Sequence, residues 1–106
     1  MPGAGEIGTV AGHLRGLAAD VRSARGDHAG AIAGWRTLTE ESLDSPREAL
    51  AWQHLGKAMF AAGEWTAARL AFTAALGLRE AAGAPPDQVA SSRLALARVE
   101  ELLAGS

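Results

Sequence analysis

"ARGDHAGAIAGW", residues 24–35, and "AAGEWTAARLAF", residues 61–72, are one phrase written twice. Gly26 matches Gly63, Asp27 matches Glu64, His28 matches Trp65, Ala31 matches Ala68 and Trp35 matches Phe72, each at an offset of 37 residues. A glycine stops a helix because it alone turns left-handed without strain, and the acid after it can cap the next helix. Self-similarity at this period is the mark of stacked units, each unable to bury its apolar face alone. The phrase therefore predicts two helix–turn–helix units.

Working outward from the phrase, the rest of the chain divides into helices as well. Ile7, Val10, Leu14, Leu17 and Val21 recur three and four apart, one apolar stripe on a helix over about 6–25. The second helix, about 27–43, carries Ala31, Ile32, Trp35 and Leu38 on one face. "SPRE", residues 45–48, is a start signal. Serine caps, proline suits the first helical position, and glutamate reaches back to the cap, opening a third helix over about 46–62. A fourth helix over about 65–82 is expected to bury Trp65, Ala68, Phe72, Ala75 and Leu76. "GAPPD" ends it, and a fifth over about 86–104 offers Val89, Leu96, Val99, Leu102 and Leu103. No segment alternates apolar and polar residues at period two. The fold class is all-α, with five helices, short connections and antiparallel neighbours. Residues 1–106 form one domain, and residues 1–5 are expected to be disordered.

At this point the chain resembles the tetratricopeptide repeat family. The second unit carries the family's spacing in Trp52, Leu55, Gly56, Met59, Gly63, Ala68, Phe72 and Ala75. Small Gly56 and Ala68 stand where two helices must approach closely, and Trp52 and Phe72 where a gap must be filled. The first unit departs from the pattern, with Arg15 in the aromatic position and Ala18-Ala19 for the Leu-Gly pair; Glu80 stands for the closing proline of the second. From Gly63 to Gly105 the period lengthens to 42 residues, which puts Leu94, Ala97 and Arg98 in the slots of a third first-helix. Such extended spacing is similar to repeats in bacterial regulatory and signalling proteins. The resemblance implies a short right-handed solenoid of two hairpins and a C-terminal capping helix, acting as a protein-interaction module.

Composition narrows the function classes. The 106 residues suffice for one modest core, burying roughly 65% of the unfolded surface. A net charge of −2 with scattered basic residues gives no footprint for nucleic acid. There is no cysteine, so disulfides, thiolate metal sites and cysteine nucleophiles are excluded. No apolar run approaches the ~20 residues of a membrane span, and "MPGAGEIG" lacks the features of a secretory signal. A cytoplasmic protein is expected.

Catalysis finds no support in the spacing. His13, His28 and His54 do not share metal-ligand spacing, so no metal or other cofactor is expected. His28 is read as half-buried turn packing and His54 as a solvated helix flank. Glu40-Glu41 and Glu100-Glu101 are read as solvated surface. "GAGEIG" fits G-x-G-x-x-G in letters but follows no strand. The chain is not expected to be an enzyme.

What remains is a surface. The resemblance implies that the first helices of successive hairpins line a concave groove for a peptide. By position the second unit places Leu50, Gln53, Lys57, Phe60 and Ala61 there, and the first His13, Gly16, Asp20, Ser23 and Ala24. Gln53 and Lys57 would meet a carboxylate or peptide backbone, with Phe60 as an apolar anchor and His13 and Asp20 on the facing helix. The clamp used by chaperone-tail binders is not reproduced, since Gly16 and Asp20 occupy its places. A competing surface is an end helix, either the first with its Ile7-to-Val21 stripe or the fifth, whose Val99, Leu102 and Leu103 would make a homodimer. A pocket around Trp35, Trp52 and Trp65 would suit a small-molecule sensor.

Overall fold

Alanine-rich segments with apolar residues three and four apart favour helix over every alternative. The computed structural model describes residues 10–105 and forms five α-helices, with no strand among the described residues. They are α1 (Val10–Ala24), α2 (His28–Glu41), α3 (Glu48–Ala61), α4 (Trp65–Ala81) and α5 (Pro86–Ala104). The expected helix start near residue 6 and the disorder expected of residues 1–5 lie outside the described residues. Each helix packs on its neighbours in the chain, and α1 also reaches α3. The result is a flat body of 45 × 34 × 19 Å.

The repeated phrase is a repeated turn. Gly26 and Gly63 adopt φ of 85° and 78°, and Gly83, between α4 and α5, joins them at 64°. At each, the next residue's N–H reaches back to a helix carbonyl: Asp27 to Arg22, Glu64 to Met59 and Ala84 to Arg79. This is the left-handed closure that satisfies two orphan carbonyls at once. Asp27 then caps α2 by accepting from the Gly30 N–H at 3.0 Å, whereas its counterpart Glu64 makes no such bond. His28 packs half-buried against this turn, its Nδ1 enclosed without a hydrogen-bond partner.

The turn between α2 and α3 differs from its sequence reading. Here Asp44, not a glycine, takes positive φ at 61°. Ser45 Oγ accepts from the Arg47 N–H at 3.2 Å, and the Glu48 carboxylate reaches the Asp44 N–H at 3.0 Å, one residue beyond the expected cap. The box is therefore displaced, and α3 begins at Glu48.

The core is small residues under large ones. Phe72 lies so close over Gly56 that a Cβ there would stand 2.6 Å from its ring. Trp35, the matching residue of the first unit, has the longer indole and lies over Gly16, where a Cβ would stand 2.9 Å away. This is how the first unit keeps the packing without the Leu-Gly pair.

Two expected apolar stripes are placed otherwise. The buried side of α1 is Gly12, Gly16 and Ala19, while Leu14, Leu17 and Val21 are 58%, 48% and 48% exposed. Small residues win the contact because they let α1 lie close against Trp35 of α2. On α5, Val99 is fully buried in the core, so it cannot serve the dimer interface expected of it; Leu103 is half-buried, and Leu102 remains at the surface. The lengthened third period also fails to govern burial, since Leu94 is 64% exposed while Ser92 is enclosed. Glu41, expected in solvent, binds Arg15 through two hydrogen bonds of 2.7 and 3.2 Å and ties α1 to α2.

Candidate interaction groove

Helices α1, α3 and α5 line a row of four hollows, which together make a trough. Its first chamber, about 240 Å³, lies between α1, α2 and α3, with Leu17, Asp20, Trp35, Leu50 and His54 in its walls. Asp20 and His54 also line the second chamber, about 470 Å³, where Lys57 and Ala61 face Ser23 and Ala24. Lys57 continues into a third, about 240 Å³, between Phe60, Phe72, Ala95 and Arg98. Phe60 and Arg98 pass into the last, beside Glu101 and Leu102. Adjacent chambers share lining residues from α1 to α5.

The expected groove residues are distributed along this trough with one exception. His13 lines the first chamber, Asp20 the first two, Lys57 the second and third, and Phe60 the third and fourth. Gln53 is not available to a ligand. It is 6% exposed, and its Oε1 accepts from Ser92 Oγ at 2.8 Å. Ser92 in turn accepts from Arg79 Nη1 at 3.0 Å, which also donates to the Gln88 carbonyl. The physical reason is coverage by α5, which the local sequence of α3 does not announce. Burial draws the Arg79 guanidinium below its ordinary value, and Asp87 opposes the change.

His54 and Trp35 form the floor that sequence reasoning missed. Their rings stack with centroids 4.5 Å apart and planes 10° from parallel. The Trp35 Nε1–H donates to Asp20 Oδ1 at 3.0 Å, fixing the indole from its other edge. Burial, assisted by the nearby Lys57, pushes the His54 imidazole below the usual histidine range, with Asp20 pulling the other way. The one available signal was spacing: His54 stands four residues after Leu50 and three before Lys57, on the face already assigned to the groove.

The three tryptophans do not share a pocket. Trp52 lines a separate hollow of about 420 Å³ with Leu43, Leu55 and Leu70, and its Nε1–H is held by Glu48 at 2.9 Å. Among the described residues, no group of three or more His, Asp or Glu side chains is placed to hold a metal ion, and no helix is long and apolar enough to cross a membrane. No family model, curated protein or solved structure matches this chain.

Proposed function

We propose that this chain is a non-catalytic interaction module of tetratricopeptide type, a short solenoid that seats a peptide or protein segment in the trough. The observation that carries this reading is the row of four chambers across α1, α3 and α5, adjacent ones sharing lining residues. Of these, α1 and α3 are the helices the repeat pattern assigns to a ligand-facing surface, and α5 is the capping helix. The proposed partner is protein rather than nucleic acid or membrane, and the proposed setting is the cytoplasm. The test is affinity capture on wild-type bait beside a Leu50→Glu/Lys57→Glu variant. Both side chains are exposed in the trough, so circular dichroism should remain that of the wild type. A protein retained by the wild type and lost by the variant supports the reading. Equal retention by both sinks it.

A second reading follows from the outward-facing Leu14, Leu17 and Val21. With Val99 buried, α1 is the end helix of the two through which a homo-oligomer would form. Sedimentation velocity decides it: a dimer that Leu17→Arg dissociates supports this reading, and a monomer at every concentration refutes it.

A further inference from the structure

We infer that the occupant of the trough is an extended segment bearing one basic and one acidic side chain, the basic one seated against Asp20, Trp35 and His54 and the acidic one between Lys57 and Arg98. This rests on the trough being the binding surface, and it adds the chemistry of what binds.

The α1 end is built for a cation. Asp20 is exposed at the rim, and only its Oδ1 is engaged, by Trp35. Trp35 is 5% exposed, so the half-buried His54 ring stacked on it is the aromatic surface beside Asp20. Burial, then Lys57, disfavours the charged form of the His54 ring, which lessens its repulsion of that cation. Leu17 and Leu50 flank the chamber, where they would cover the aliphatic stem of a lysine or arginine. The volume, about 240 Å³, admits one long side chain.

The α5 end has the opposite sign. Lys57 and Arg98 line one chamber over Phe60 and Phe72, and neither makes an ion pair with a described residue. Two unpaired cations over an apolar floor suit a carboxylate beside a hydrophobic side chain. Glu101, in the last chamber, ends the cationic stretch. Between the two ends, Asp20 and Lys57 face the same chamber without closing an ion pair, so a dipolar ligand satisfies both.

Geometry sets the spacing. His54, at the basic seat, and Phe60, at the acidic one, are roughly 9 Å apart along α3 at the helical rise. An extended chain covers that in about three residues.

The test is selection of a displayed library of random 12-residue peptides on the 106-residue chain. Selection is repeated on three variants: Asp20→Asn, Lys57→Gln/Arg98→Gln and Leu50→Asp/Phe60→Asp. Asp20→Asn keeps an acceptor for Trp35 and removes only the charge. The expected result is enrichment of peptides with a basic and an acidic residue about three apart, each charge-removing variant binding them about fivefold more weakly. Enriched peptides of one charge sign or none, insensitive to the charge variants but lost on Leu50→Asp/Phe60→Asp, overturn the inference and leave the trough reading standing. No enrichment over Leu50→Asp/Phe60→Asp overturns both.

Discussion

At the scale of single residues, His54 links packing to pH. Its folded-state affinity for a proton is below that of the unfolded chain. Its contribution to stability is therefore complete above pH ~6.5 and fades as pH falls towards the lowered folded value. Urea unfolding at pH 7.5 and 5.5 should show the wild type losing more stability on acidification than His54→Gln does. Equal losses would mean the imidazole titrates normally. Glycines make the second residue-scale contrast. Gly56→Ala places a methyl against Phe72 and should cost about 1–3 kcal/mol, although alanine is the better helix former. Gly77 has nothing within 4 Å of its added Cβ, so Gly77→Ala should gain about 1 kcal/mol. Thermal melts of the two variants should move in opposite directions.

At the scale of helices, α3, α4 and α5 are joined by the Gln53–Ser92–Arg79 chain. Ser92→Ala removes the hydroxyl that both partners use and leaves Gln53 Oε1 and an Arg79 donor unmatched, for about 1–3 kcal/mol. A melt within error of wild type would show that water replaces it. Phe72→Ala, which empties the core contact over Gly56, should cost about 3–5 kcal/mol, read by denaturant titration. These elements also show what the sequence made legible. The glycine turns and the Phe72–Gly56 contact were readable because they depend on residue type and short spacing. The burial of Gln53 was not, because the helix that covers it arrives 39 residues later. The α1 stripe misled for a related reason: periodicity identifies an apolar face, but Gly16 packs closer against Trp35, and Ala19 against Gly34, than leucines would. In the groove, Lys57 and Phe60 followed from the repeat register, whereas the Trp35–His54 stack needed two helices brought together.

At the scale of the molecule, α1 is held mostly through one neighbour and by small side chains. Gly12, Gly16 and Ala19 remove little apolar area from water, so their burial contributes little. The Arg15–Glu41 pair is about one-third exposed and adds on the order of 1 kcal/mol or less. Amide hydrogen exchange should therefore be fastest in α1 among the five helices, with α3 and α4 protected longest. Uniform protection would show that α1 is no separate unit. Yet α1 supplies Asp20, and with it one wall of the trough. Were α1 to detach, the surface would be incomplete, and the affinity for the proposed ligand would be the intrinsic one reduced by the fraction of molecules in which α1 is docked. Any ligand spanning the trough would shift that equilibrium, raising the population of docked α1 as it binds.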